Sequence, residues 1–216
     1  MFCTVNDIQL YYELSGSGTP LLMVHGNSED HPIFDAAVEE LSKTHTVCTV
    51  DSRCHGRSTD TDEISYDRMA DDLIGFIRAL PLEKPVFYGF SDGGIIGLLI
   101  ALKEPDLLGK LIISGANLNP EGLQEEDRTF VRKIAARGNK LFQMMESEPN
   151  ISPADLSKIT VPTVVLAGEH DMILPEHTRL IADSIPGSVL EILPGEDHSS
   201  YIVNSDKLAP LLKKYL

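Results

Sequence analysis

Short apolar runs recur along the chain, and each ends in glycine or in polar residues. Continuous apolar runs of this kind are typical of strands that are buried on both faces of a sheet. The pattern predicts six such strands, at residues 21–24, 46–50, 86–88, 111–113, 163–166 and 189–193. The residues that follow these runs are therefore the first candidates for catalytic or binding side chains.

Segments with helical periodicity lie between most of these runs. Their apolar positions recur every three to four residues, which indicates helices with one buried face. The segments are residues 34–42, 66–80, 93–103, 176–185 and 205–216. A strand that alternates with a helix predicts an α/β fold, with a mostly parallel central sheet and helices on both faces.

Two parts of the chain depart from this alternation. Residues 2–5 and 8–14 flank Asn6-Asp7, a pair that suits the left-handed backbone of tight turns, so an N-terminal antiparallel hairpin is expected. Residues 116–159 contain no convincing buried strand, although residues 123–145 look helical and charged. We expect a single domain over residues 1–216, with residues 116–159 forming a short helical cap insertion.

The amino-acid composition indicates the class of protein and the kinds of partner that are unfavourable. Hydrophobic residues make up 42% and charged residues 24%, as in ordinary globular proteins. Lys and Arg number 18 against 33 Asp and Glu, which gives a formal net charge of −15. Nucleic acids and anionic membranes are poor partners for such a surface. No apolar run approaches the roughly 20 residues that span a bilayer.

The three cysteines, Cys3, Cys48 and Cys54, do not suggest a disulfide framework. Reduced thiols favour a cytoplasmic location. Cys48, Cys54 and His55 lie close in sequence, but a zinc site needs four converging ligands and there is no second pair, so no metal site is expected.

The segment Gly89-Phe90-Ser91-Asp92-Gly93 lies between a predicted strand and a predicted helix. A Gly-x-Ser-x-Gly sequence in that context forms a sharp turn, in which small residues let the strand and helix approach each other. The turn pushes the serine hydroxyl clear of the backbone. The next N–H group then lies at a helix N-terminus, where it can stabilise a developing oxyanion.

A serine hydroxyl needs a base, and the base needs an orienting acid. The strand at residues 163–166 is followed by Glu169 and Asp171, and the strand at residues 189–193 is followed by His198. His198 is the candidate base. Asp171 and Glu169 both remain candidates for the acid.

These motifs resemble those of the α/β-hydrolase superfamily, and the resemblance covers nearly the whole chain. Other similar segments are Gly16 to Gly26, which leads into His25-Gly26, residues 51–58, and Val161-Pro162. The resemblance is to small-cap serine esterases. It implies that Ser91 is the nucleophile and His198 the general base, that Asp171 orients the base, and that the N–H groups of Asn27 and Asp92 form an oxyanion hole. It implies no cofactor and no metal, and a structural role for His25 in shaping the oxyanion loop.

Two features leave alternatives open. The Asp92 carboxylate, directly after the nucleophile, either favours a cationic or amino-bearing substrate or caps the following helix. Apolar residues of the insertion either line an acyl pocket or pack the insertion onto the core. The candidate substrate-binding residues are Phe90, Phe130, Phe142, Met145 and Tyr201.

The expected function is hydrolysis of a small carboxylic ester through an acyl-enzyme on Ser91, with thioesters and amides left open. The fold hosts other reactions, so carbon–carbon bond hydrolysis and cofactor-free perhydrolysis are alternatives. A ligand-binding receptor of the same fold is a third, which an intact Ser91, Asp171 and His198 disfavours. The expected partner is a small acyl substrate, and the sequence gives no oligomeric state.

Overall fold

A computed structural model describes residues 1–216, and its centre is one eight-stranded sheet. The strands are β1 (Phe2–Val5), β2 (Ile8–Ser15), β3 (Thr19–Val24), β4 (His45–Val50), β5 (Val86–Phe90), β6 (Lys110–Ser114), β7 (Thr163–His170) and β8 (Val189–Asp197). They lie side by side in the order β1-β2-β4-β3-β5-β6-β7-β8.

The sheet is parallel except at its N-terminal edge. β1 and β2 form the predicted antiparallel hairpin, and Asn6 in the turn has a φ of 51°. β2 is also antiparallel to β4, whereas every pair from β4 to β8 is parallel. The predicted α/β fold class and the N-terminal hairpin are therefore confirmed.

The helices follow the predicted alternation, with some different ends. They are α1 (Asp35–Leu41), α2 (Tyr66–Ala79), α3 (Asp92–Lys103), α4 (Glu125–Ala135), α5 (Lys140–Ser147), α6 (Pro153–Leu156), α7 (Pro175–Ser184) and α8 (Leu208–Lys213). The helical stretch expected at residues 123–145 is divided into α4 and α5. Gly138 between them has a φ of 87°, a left-handed conformation that ends a helix.

Both faces of the sheet are covered, as alternate residues of the central strands show. On β3, Leu22 and Val24 belong to a core that contains side chains of α2, α3, α6 and α7. Leu21 and Met23 belong to a second core, which contains side chains of α1 and α8. Because successive side chains point to opposite faces, continuous apolar strands are the ones that suit this two-sided burial.

The strands β7 and β8 run further than their apolar runs predicted. β7 continues to His170 and β8 to Asp197, beyond Pro194-Gly195, and His170 pairs with Asp197 across a register shift. The extension pairs polar residues at the edge of the sheet, where burial no longer requires apolar side chains. It places Asp171 and His198 directly after two paired strand ends.

The segment at residues 116–159 connects β6 to β7 and contains α4, α5 and α6. A small hydrophobic cluster of its own joins Leu123 and Val131 to Ile173, with Phe142 and Met145 packed against it. Leu156 of α6, in contrast, is buried in the larger core. None of the helices is long and apolar enough to cross a membrane.

Candidate active site

The residues singled out from the sequence meet at the carboxyl edge of the sheet. Asn27 follows β3, Ser91 follows β5, Asp171 follows β7 and His198 follows β8. Parallel strands end at the same edge, which is where ligands bind in open α/β sheets. Residues far apart in the chain are therefore brought into one constellation.

Ser91 lies in a strained turn between β5 and α3. Its backbone has a φ of 51° and a ψ of −113°, in the region of φ that favours glycine. A Cβ atom at Gly89 would lie 2.2 Å from the carbonyl oxygen of Gly93, and one at Gly93 would lie 2.2 Å from that of Val24. Both glycines are needed because strand and helix come this close, as the motif predicted.

A chain of hydrogen bonds joins the three predicted catalytic side chains. The Oγ of Ser91 is 3.1 Å from Nε2 of His198, and Nδ1 of His198 is 2.6 Å from Oδ1 of Asp171. Asp171 is buried, and its carboxylate also accepts hydrogen bonds from the N–H groups of Ile173 and Gly168. This arrangement leaves Nε2 of His198 as the atom that can take the serine proton.

Glu169, the other candidate acid, lies elsewhere. Its side chain is exposed and accepts a hydrogen bond from the N–H group of Gly195 at 2.8 Å. The side chain of Asp171, two residues further, reaches His198 instead. The pairing of β7 with β8 separates two acids that the spacing in the sequence left as alternatives and that only the family resemblance ranked.

The backbone N–H groups of Asn27 and Asp92 donate no hydrogen bond within the chain. His25 shapes the loop that carries Asn27. Its Nε2 accepts from the N–H group of Ser52 at 3.0 Å, so Nδ1 must be the donor to the carbonyl oxygen of Gly26, at 2.7 Å. Burial, with His55 nearby, lowers the pKa of His25 to about 3, so the ring is neutral.

His55 is a second support of this loop that the sequence reasoning missed. Its Nε2 accepts a hydrogen bond from the N–H group of Ser28 at 3.1 Å, and its Nδ1 contacts the carbonyl oxygen of Arg53 at 2.9 Å. Ser28 has a φ of 60°, so the loop turns sharply at this contact. The only signal in the sequence was the position of His55 in the family-like segment at residues 51–58.

The side chain of Asp92 does not face the cavity and makes no capping hydrogen bond to α3. It is buried, and it accepts hydrogen bonds from the hydroxyl of Tyr66 at 2.8 Å and from Nδ2 of Asn27 at 3.2 Å. Burial raises the pKa of Asp92. Neither interpretation offered from the sequence describes this carboxyl, which connects α2 to the Asn27 loop.

A cavity of about 270 Å³ opens beside Ser91 and His198. Four of the five predicted pocket residues line it: Phe90, Phe130, Phe142 and Met145. Tyr201 does not, because its ring is buried in the core beneath the sheet edge. The prediction for Tyr201 is wrong because the chain turns inward after His198, which buries Tyr201 and Ile202.

Five further residues line this cavity without having been predicted from the sequence, namely Gly26, Glu29, Val131, Met172 and Ser199. Val131 is an apolar position of α4 that also packs in the small cluster. Glu29 stands in a polar loop, where a carboxylate is the ordinary surface residue. Only the fold of the Asn27 loop shows that this carboxyl lies beside the nucleophile.

Comparison of the sequence with known proteins shows which family the chain belongs to. Residues 19–144 match the family model described as the alpha/beta hydrolase fold, so the chain belongs to that family. It is a serine hydrolase of that fold, and the predicted enzyme class is confirmed.

Individual relatives are similar over almost the whole chain. The human serine hydrolase BPHL is 26% identical over 98% of this chain and 84% of its own length. The pimeloyl-[acyl-carrier protein] methyl ester esterase of Aliivibrio salmonicida is 24% identical over 96% of this chain and 95% of its own. A solved esterase from Thermogutta terrifontis is 26% identical, with a TM-score of 0.79, over 96% of this chain and 93% of its own.

Proposed function

We propose that this protein hydrolyses small carboxylic esters through an acyl-enzyme on Ser91. The observation that carries the proposal is the hydrogen-bonded series from Ser91 through His198 to Asp171, at 3.1 Å and 2.6 Å, on the wall of a cavity. A nucleophile, a base and an orienting acid within hydrogen-bond reach are the elements that activate a serine.

The proposed reaction begins when His198 takes the proton of Ser91 as its Oγ attacks the ester carbonyl. The N–H groups of Asn27 and Asp92 stabilise the tetrahedral oxyanion, and Asp171 stabilises the imidazolium. His198 then gives the proton to the departing alcohol, which leaves an acyl group on Ser91. His198 next deprotonates a water molecule, whose attack releases the acid and restores the serine.

The cavity supports a small substrate with an apolar part. Phenylalanine, methionine and valine side chains line much of its volume of about 270 Å³. An ester with a short acyl chain or a small aromatic group suits this space. The esterase names of the relatives from Aliivibrio salmonicida and Thermogutta terrifontis support ester chemistry.

We also propose that residues 116–159 act as a short cap within a single domain over residues 1–216. Val131 of α4 and Phe142 and Met145 of α5 line the cavity, so these helices cover one side of it.

A cytoplasmic location remains part of the proposal, and the three unpaired thiols of Cys3, Cys48 and Cys54 support it.

Labelling with a fluorophosphonate probe, read by mass spectrometry of the intact protein, tests the proposal without knowledge of the substrate. We expect one label per chain at Ser91, and no label in Ser91→Ala or His198→Ala. Hydrolysis of p-nitrophenyl acetate and butyrate should disappear with the label. A folded protein that takes no label and cleaves neither ester would overturn the proposal.

Product analysis then separates the alternatives. Release of an acid and an alcohol from an ester supports the proposal. If the protein instead cleaves carbon–carbon bonds beside a carbonyl faster than it cleaves esters, the same residues carry out that reaction. If it forms peracids with hydrogen peroxide faster than it cleaves esters, they carry out perhydrolysis.

A further inference from the structure

The carboxyl group of Glu29 lies beside the nucleophile, on the wall of the same cavity. Oε2 of Glu29 accepts a hydrogen bond from the N–H group of Gly26 at 3.0 Å. A Cβ atom at Gly26 would lie 2.8 Å from that oxygen and 3.1 Å from Cβ of Ser91. The carboxyl and the nucleophile therefore flank one small space, which is open because residue 26 is glycine.

The protein supplies no cation for this carboxyl. Glu29 forms no ion pair with any lysine or arginine, and neither residue type lines the cavity. Oε1 accepts no hydrogen bond within the chain, yet it is not among the fully buried unpaired atoms, so it is accessible. A half-buried carboxylate with one free oxygen is a binding partner for a positively charged group.

Aromatic rings surround the same space. Phe90, Phe130 and Phe142 line the cavity together with Glu29, and the rings of Phe130 and Phe142 are 5.9 Å apart at an angle of 76°. Aromatic faces attract cations, most strongly where water is excluded. A carboxylate together with aromatic walls favours an organic cation over a neutral group of the same shape.

A surface depression next to the cavity carries the same sign of charge. A second, more open depression shares His198 and Ser199 with the cavity and includes Glu126, Asp127 and Asp197, without any lysine or arginine. Glu126 and Asp127 form no ion pair. Such a rim raises the local concentration of cations and steers them toward the site.

We propose that Glu29 is a specificity-determining residue that selects ester substrates carrying an organic cation, such as a quaternary ammonium group, near the scissile bond. This inference rests on the proposed function, because the carboxyl acts on a substrate that Ser91 attacks. It assigns the role of cation recognition to Glu29 instead of Asp92, whose carboxyl is turned toward Tyr66 and Asn27.

The selection depends on pH. Burial, with the neighbouring carboxylates Asp92 and Asp30, raises the pKa of Glu29 to about 7, while the Gly26 N–H group and His198 act in the opposite direction. The phenol of Tyr88 also senses this charge. Above pH 7 the carboxylate is ionised and attracts a cation, and below it the neutral acid does not.

The test compares esters that differ only in charge. Choline butyrate and 3,3-dimethylbutyl butyrate place the difference on the alcohol, whereas betaine and 3,3-dimethylbutyrate esters of one alcohol place it on the acyl group. The readout is the ratio of kcat/KM for the cationic ester to that for its neutral isostere. We expect a ratio above one in at least one pair, and about a tenfold fall in that ratio in Glu29→Gln.

A matched control removes the same charge from the same loop. Asp30 is the next residue, does not line the cavity and makes no side-chain hydrogen bond. At a pH well above 7, where Glu29 is ionised with or without Asp30 beside it, Asp30→Asn should keep the ratio of the wild-type protein. The ratio of the wild type should rise as pH increases through 7, and that of Glu29→Gln should not follow it.

The outcomes separate this inference from the proposed function. If the protein takes the fluorophosphonate label and cleaves neutral esters, but shows a ratio of one in both pairs, the inference about Glu29 is wrong and the hydrolase proposal stands. An equal fall of the ratio in Asp30→Asn and Glu29→Gln would also overturn it, since the general charge of the loop would then be responsible. If no ester is cleaved and no label is taken, the proposed function itself fails.

Discussion

Gly115 leaves the space in which the ring of His198 lies. A Cβ atom at Gly115 would be 2.6 Å from Cε1 and 2.8 Å from Nδ1 of the histidine. Gly115 follows β6, and its φ of 61° turns the chain out of the sheet beside the site. Gly115, which belongs to none of the motifs found in the sequence, therefore determines where the ring of His198 can lie.

Gly115→Ala should therefore impair catalysis by displacing His198. We expect kcat/KM for p-nitrophenyl acetate to fall by about 10² to 10³, as when a catalytic group is misplaced. Gly138→Ala is the matched control, because Gly138 also has a positive φ but no atom lies within 4 Å of its added Cβ. Both variants should lose some stability, and only Gly115→Ala should lose activity. Similar kinetics in the two would show that the His198 contact is unimportant.

Asp171 and Glu169 can be separated by one substitution each. Asp171→Asn keeps the shape of the side chain but no longer stabilises the imidazolium, so kcat should fall by about 10⁴. Glu169→Gln should change kcat less than threefold, because its carboxylate contacts only the N–H group of Gly195. Steady-state kinetics at one pH decide the matter. A larger loss in Glu169→Gln would mean that the other carboxylate orients the base.

Asp92→Asn should reduce activity on cationic and neutral esters by the same factor. Its carboxyl holds Asn27 and Tyr66 and does not line the cavity, so the variant loosens the loop that carries the Asn27 N–H group. A loss of about tenfold in kcat is expected for both members of the choline and dimethylbutyl pair. Tyr66→Phe removes only one of the two contacts and should show a smaller loss. A selective loss on the choline ester would restore the idea that Asp92 binds a cation.

The raised pKa of Glu29 predicts a pH-dependent difference in stability. The group ionises near 4.5 in the unfolded chain and near 7 in the folded one, so the folded state binds the proton more tightly. Glu29 therefore destabilises the folded protein progressively as pH rises from about 4.5 to about 7. Glu29→Gln removes that effect, and its Tm relative to wild type should increase across this window. Thermal unfolding at several pH values measures it, and a constant difference would contradict the raised pKa.

The ion pair between Arg53 and Asp72 should contribute to folding. Both side chains are buried, with Nε of Arg53 2.6 Å from Oδ2 and Nη2 2.9 Å from Oδ1 of the carboxylate. Asp72→Asn leaves a buried guanidinium without its counter-charge and should lower the free energy of unfolding by about 3 kcal/mol. Asp155→Asn breaks the exposed pair with Lys158 and should change it little. Urea unfolding of the two variants provides the comparison.

The sequence by itself predicted most elements of the fold and the residues of the candidate site. Apolar runs such as residues 21–24 read as buried strands because a strand covered on both faces has no polar side to display. The Gly-x-Ser-x-Gly turn marked Ser91, because its glycines are required by local geometry within a few residues. Asp171 and His198 followed from their positions after later strands. These inferences depend on short stretches of chain, in which sequence and conformation are closely linked.

Only the tertiary structure decided which of the remaining side chains face the site. The pairing of β7 with β8 beyond their apolar runs brought Asp171 to His198 and left Glu169 in solvent. The fold of the Asn27 loop turned Glu29 into the cavity, and the packing of α2 held Asp92 away from it. These outcomes depend on contacts between segments far apart in sequence. Periodicity and motif spacing describe only neighbours along the chain, so they could not predict these distant contacts.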